Sequence, residues 1–358
     1  MQALRQAHRV LALALLAAVG FADVQTADPS EPAPTGVPQD GKGTAMTKPP
    51  LELPARNSKQ LPVIDGDLSA AGIVDERGAR ITEALRAKDY ERAETLLLEV
   101  AEANPRSVEA LRLLGGVFFL RGRPLNAAVA LKKAEAIAPL DERSRFTLAM
   151  AYVALGHRDW ARPELAKLVE AAPANALYPY WIGRLDYDDQ QYATAVKSLL
   201  RAVELDPRFV RAYDSLGLCY EWLGRFDEAV RSYEEAIRLN GEQPTKSPWP
   251  PLNLGLLLAR LDRLDEAEVR LRESIACDPG FALAHYQLGL TLEKKGRATE
   301  ALAEIEEAAR LDPASAEAPY ALARLYRRSG DTAKADRALQ RFQEMKKAKD
   351  AEKGQAPR

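Results

Sequence analysis

Hydrophobic and polar residues are distributed along this chain in three different ways. From Val10 to Val19 every residue is Val, Leu or Ala. Between Asp28 and about Leu61 large apolar residues are scarce, and Pro29, Pro32, Pro34, Pro38, Pro49, Pro50 and Pro54 stand among Gly, Thr, Lys and Gln. From about Val74 onward apolar residues recur at helical period in short amphipathic blocks, each closed by Gly or Pro. The first pattern predicts an export signal, the second a disordered linker with little to bury, and the third a long series of helices.

The helical part repeats itself. DYERAETLLLEVAEANP (residues 89–105), GRPLNAAVALKKAEAIAP (122–139), QQYATAVKSLLRAVELDP (190–207) and GRATEALAEIEEAARLDP (296–313) follow one template with a period of 34 residues. Eight units fit, at 74–107, 108–141, 142–175, 176–209, 210–243, 248–281, 282–315 and 316–349, with an insertion at 244–247. Position 20 is alanine in all eight: Ala93, Ala127, Ala161, Ala195, Ala229, Ala267, Ala301 and Ala335. Position 8 is small in seven, where two helices must approach closely, and Ile81 departs from this, which predicts looser packing in the first unit. Position 15 is glycine in five units, suiting a left-handed helix end. Position 32 is proline in six, which stops the second helix of a hairpin.

This period, with its small residue at 8, alanine at 20 and proline at 32, resembles the tetratricopeptide repeat family over about three quarters of the chain. The resemblance implies an all-α fold, a right-handed superhelical solenoid of helical hairpins, in which each unit buries its apolar face on its neighbours. It implies that the first helix of each unit lines a concave groove, with ligands held by positions 2, 5, 6, 9, 12 and 13. Among the residues at those positions, Phe119, Phe146, Tyr180, Trp181, Arg184, Tyr187, Arg211, Trp222, Trp249, Tyr286, Tyr320 and Arg324 are the candidate partner contacts. Rigid rings beside guanidinium groups are what interaction hot spots favour. The alternative is that rings at positions 5 and 12 wedge between helices and pack. The densest cluster is Tyr180, Trp181, Arg184 and Tyr187 in unit four with Arg211 and Trp222 in unit five. Two recognition schemes of the family do not transfer: no three consecutive units spell its carboxylate clamp, and of its asparagine ladder only Asn253 is present.

Before the repeats, residues 1–22 read as a signal peptide. Arg5, His8 and Arg9 precede the apolar run, and Gly20 and Ala22 suit a cleavage site after Ala22. The run is about half of the ~20 residues a spanning helix needs, so removal is expected, with anchoring by an uncleaved segment as the alternative. The expected location is the periplasm or the medium. Residues 23–61 form the Pro-rich linker, 62–73 a lead-in, and 350–358 a charged tail. Within the linker Gly36–Lys42 nearly spells a phosphate loop, but Gly43 stands where Ser or Thr is needed and no strand precedes it. The insertion, flanked by Gly241, Pro248, Pro250 and Pro251, predicts a joint that divides the array into five units and three.

Composition narrows the chemistry. The 358 residues include 50 Lys and Arg against 52 Asp and Glu, for a net charge of −2, and the groove positions sum to only +3, which disfavours a nucleic-acid partner. Three histidines and two cysteines supply no metal-ligand spacing, no disulfide framework and no cofactor site. Cys219 and Cys277 are expected as free, partly buried thiols. Asp186, Asp188 and Asp189 open like a calcium loop, but Gln191 and Lys197 occupy its glycine and bidentate-acid positions, so a solvated turn is expected. The function expected is that of a non-enzymatic, exported adaptor that binds an extended peptide or a partner helix, with no membrane insertion beyond the signal. The alternative is a structural subunit of an envelope assembly, pilus or polysaccharide-export machine.

Overall fold

The structure, a computed structural model, describes residues 76–354. The signal segment, the linker with its phosphate-loop-like stretch, and the lead-in lie outside them. The described residues form helices and no strands. In chain order these are α1 (Glu76–Arg86), α2 (Tyr90–Ala103), α3 (Val108–Leu120), α4 (Pro124–Glu135), α5 (Glu142–Ala154), α6 (Arg158–Ala171), α7 (Leu177–Asp188) and α8 (Tyr192–Leu205). There follow α9 (Val210–Trp222), α10 (Phe226–Gly241), α11 (Trp249–Arg260), α12 (Leu264–Cys277), α13 (Ala282–Lys294), α14 (Ala298–Leu311), α15 (Glu317–Arg328) and α16 (Thr332–Gly354). Odd-numbered helices are the first of each repeat and even-numbered ones the second. None of the described helices is long and apolar enough to cross a membrane.

The described residues divide into two compact units, the first up to Ala161 and the second from Arg162 onward. In the first, Ile81, Leu97, Leu114, Val117, Leu131 and Leu148 belong to one continuous core. In the second, Leu252, Leu271, Leu288, Leu292, Ile305 and Leu325 form another. Each such side chain contributes about 1.5–3 kcal/mol on burial, and because the cores run from repeat to repeat, each hairpin depends on its neighbours.

The small residue at position 8 has a steric cause. A Cβ on Gly217 would lie 2.4 Å from Cε1 of Tyr233, and one on Gly289 would lie 2.4 Å from Cγ1 of Ile305. Both partners occupy position 24, so the first helix yields space to a large residue of the second. Ile81 does not loosen the first unit as expected: it is fully buried and part of the core.

Position 15 carries the turn between the helices. Gly122, Gly156, Gly224, Gly296 and Gly330 all have positive φ, between 70° and 84°. The three units without glycine adopt the same conformation with Lys88, Gln190 and Asp262, at φ of 57°, 60° and 60°. Side-chain caps start several helices: Asp89 accepts from the Arg92 amide at 3.1 Å and Asp141 from the Ser144 amide at 2.7 Å.

The insertion at 244–247 is not the expected joint, because a single compact unit continues through it. Buried Asn240 at the end of α10 explains this: it donates to the Ser247 carbonyl at 2.8 Å and accepts from the Ser247 amide at 2.9 Å. On the far side Ser274 donates to the Pro248 carbonyl at 2.8 Å. The extra residues bulge outward between fixed ends.

Candidate functional site

First helices of successive repeats touch one another: α3 with α5 in the first unit, and α7 with α9, α9 with α11 and α11 with α13 in the second. Within each unit second helices pack on the first helices to either side, as α4 does on α3 and α5 and α10 on α9 and α11. Elements drawn closer together lie on the inner side of a curved stack, so within each unit the first helices form the groove wall.

The candidate residues fall into three classes of exposure. Phe146, Tyr180, Trp181, Arg184 and Tyr187 are buried. Phe119, Arg211, Trp249 and Tyr286 are half-buried, and Trp222, Tyr320 and Arg324 are exposed. The densest sequence cluster is thus mostly wall. Tyr180 packs edge-on against Trp181 with centroids 5.7 Å apart and lies 4.8 Å from the ring of Phe209. Arg211 caps Tyr180 with its guanidinium carbon 5.3 Å from the ring centre. Further along, Trp249 meets Phe281 edge-on at 5.0 Å, and Tyr320 lies 5.2 Å from Phe342. Phe119 packs against the core of the first unit.

Trp222 joins wall to surface. Its indole N–H donates to the Tyr187 hydroxyl at 3.1 Å, and one face stacks parallel on Tyr192 at 5.2 Å. Trp222 nevertheless remains 46% exposed, and Leu223 and Phe226 beside it are also exposed. Repeat five therefore offers an apolar edge at the mouth of the groove, with its principal ring held in orientation.

A ladder of polar contacts runs along the same wall. At each junction of the second unit, position 12 of one repeat accepts from position 13 of the next. Tyr187 accepts from Trp222 at 3.1 Å, Glu221 from Arg260 at 2.6 Å, the Ala259 carbonyl from Lys294 at 3.2 Å, and Glu293 from Arg328 at 3.1 Å. Arg324 also pairs with Glu293. Asn253 donates to Asp214 at 2.9 Å, so it joins two first helices. Many polar groups that the sequence brought to this face therefore tie repeats together.

The electrostatics follow from burial. Burial pushes the Glu221 carboxyl above its ordinary range, opposed by Arg260 and by the Tyr233 hydroxyl, which donates to it at 2.9 Å. Burial raises the Tyr187 phenol to about 12, against the hydrogen bond from Trp222. It also raises the Cys219 thiol to about 12, although Arg184 acts to lower it. Cys219 and Cys277 are free, the first buried and the second half-buried. His285 is held at both ring nitrogens, 2.8 Å from Glu304 and 3.1 Å from the Pro279 carbonyl. No cluster of three or more His, Cys, Asp or Glu side chains placed to hold a metal ion occurs among the described residues.

Of the aspartates of unit four, Asp189 lies exposed in the turn, as expected, but Asp186 does not. Asp186 is 1% exposed within α7, and Arg162 donates to it at 2.5 Å and to Asp189 at 3.0 Å. This is one case of a recurring bridge that sequence reasoning missed. Position 21 of one repeat pairs with position 14 and its neighbours in the next: Glu94 with Arg121 at 2.7 Å and Arg123 at 2.5 Å, and Glu268 with Lys295 at 2.6 Å and Arg297 at 2.7 Å. In repeat three the signs are reversed. Opposite charges 27 residues apart were the available signal.

Fold and wall together define a solenoid built from helix–turn–helix repeats. Sequence profiles described as tetratricopeptide repeat match residues 79–142, 146–207, 210–242, 252–316 and 317–345. The chain belongs to the tetratricopeptide repeat family. Among curated relatives, it is 30% identical over 142 residues to the TPR repeat-containing protein YpiA of Bacillus subtilis, covering 39% of this chain and 32% of that one. It is 27% identical over 150 residues to the type IV pilus assembly protein PilF of Pseudomonas aeruginosa, covering 41% and 60%. The chain thus spans about a third and three fifths of these relatives. The crystal structure of yeast Tom70 superposes with a TM-score of 0.51 at 21% identity, covering 76% of this chain and 60% of that one, a likeness of fold.

Proposed function

We propose that the chain is a non-enzymatic, exported scaffold that holds an extended peptide, or a helix of a protein partner, along the first helices of its repeats. The observation that carries this is the row of oriented but accessible side chains on that face: Trp222 and Tyr320 exposed, Trp249 and Tyr286 half-buried on the first helices between them, and Arg211 half-buried on the same helix as Trp222. Anchored rings with part of their surface open gain contact area at small entropic cost. The absence of a reaction is supported by the state of the nucleophiles: Cys219 is sealed and its thiol raised to about 12, and His285 is tied at both nitrogens. Export rests on the Met1–Ala22 pattern, and an intact mass beginning at Asp23 is its expected mark.

A second reading, a structural subunit of a pilus or similar envelope assembly, draws on the similarity to the type IV pilus assembly protein. Peptides selected from a phage-displayed random library on the full chain separate the two. The groove reading expects Trp222→Ala with Tyr320→Ala to weaken binding about tenfold or more while the helical circular dichroism is unchanged. Equal binding by the folded double variant, or failure to select any peptide, would favour the structural subunit.

A further inference from the structure

One buried charge on the groove wall is held only by a long hydrogen bond to a neutral hydroxyl. Asp186 is held by Arg162, Asp214 by Asn253, and Glu221 by Arg260 and Tyr233. Arg184, at position 9 of repeat four on α7, is 6% exposed, yet no carboxylate among the described residues forms an ion pair with it. Its hydrogen bond to Ser215 Oγ on α9 is long, at 3.4 Å, and its guanidinium carbon lies 5.6 Å from the ring centre of Tyr187. A guanidinium offers five donors and stays charged, so removing it from water without a counter-ion is costly. Three residues earlier on the same helix, the buried indole Nε1 of Trp181 also has no acceptor. A weakly held guanidinium and an indole N–H without an acceptor, one turn apart on a face already furnished for binding, mark a place built for an acceptor that the described residues do not supply.

We propose that Arg184 is an anion anchor that receives the carboxylate of an aspartate or glutamate side chain from the bound segment. The inference rests on the groove reading above and names its ligand chemistry. A carboxylate matches the planar fork of a guanidinium with two parallel hydrogen bonds. Arg211, half-buried over Tyr180 at 5.3 Å, adds a second positive charge at the same junction. A side chain is favoured over a chain terminus because no three consecutive repeats carry the residue set with which the family clamps a terminal carboxylate.

The test uses peptides selected on the full chain, synthesised with acetylated and amidated ends. Each Asp or Glu is replaced in turn by Asn or Gln, and binding is titrated with the wild type and with Arg184→Gln. One acid-to-amide change is expected to cost about tenfold in the wild type and to cost nothing in the variant, as coupled charge pairs do. Arg184→Met, which removes the unpaired cation and keeps much of the volume, is expected to melt about 2–4 °C higher without ligand. Acid replacements that cost the same in both proteins, or selected peptides without acids, would overturn the anchor and leave the groove reading standing. Coupling seen only with a free C-terminal carboxylate would overturn the side-chain source. A lower melting point for Arg184→Met would mark Arg184 as structural. Failure to select any peptide would overturn the groove reading, and this proposal with it.

Discussion

Gln190 sits at φ 60°, in a backbone region where a side chain is strained, because the turn between α7 and α8 demands it. Gly224 meets the same demand at φ 71° without a side chain. Left-handed geometry costs a non-glycine residue roughly 1 kcal/mol, partly offset by the greater freedom glycine restores to the unfolded chain. Gln190→Gly is therefore expected to raise the melting temperature by about 2 °C. Gly224→Ala, where an added Cβ meets nothing within 4 Å, is expected to lower it by a similar amount. Thermal melts of the two variants check this, and changes of the same sign would refute it. The turn was legible in the sequence from five glycines, and alignment by position extends it to Lys88 and Asp262. Ile81 was misread because close approach was inferred from the small residues alone. What the packing requires is a fitted pair at positions 8 and 24, and Ile81 fills its place completely.

Between elements, the bridges that join one hairpin to the next are charged. Glu268 on α12 illustrates their worth: burial alone would raise its carboxyl, but Lys295, Arg272 and Arg297 outweigh this and bring it to about 2. Its folded value lies below the ordinary 4.5, so its contribution to stability is present above that value and is lost as pH falls towards about 2. Glu268→Gln is expected to melt lower than the wild type at neutral pH, and the two melting curves should converge on acidification from about pH 5 to about pH 2. A difference that stays constant across this window would show that the bridge contributes nothing through its charge. These bridges were hidden in the sequence because each residue looks like ordinary solvated surface. Only pairing across the 34-residue period brings Glu94 to Arg121, or Arg162 to Asp186. The same cause turned one of the expected solvated aspartates, Asp186, into a buried anchor.

For the whole molecule, the repeat number, the helical hairpins and the faces of the helices could be read from periodicity, because one unit supplies the template for the next. Two features could not. The insertion looked like a break because Gly and Pro cluster there, yet Asn240 closes it from a neighbouring helix. Position in the repeat picks out the first helices, which touch one another within each unit, but sequence has no means of separating rings that pack from rings that remain open. Tyr180 and Trp181 proved to be wall, whereas Trp222 and Tyr320 keep exposed surface. The central claim, that first helices receive the partner, is tested most directly by hydrogen–deuterium exchange of the full chain with and without a selected peptide. The account predicts added protection greatest in α7, α9, α11 and α13, with α8, α10, α12 and α14 little changed. Protection confined to the second helices would contradict it.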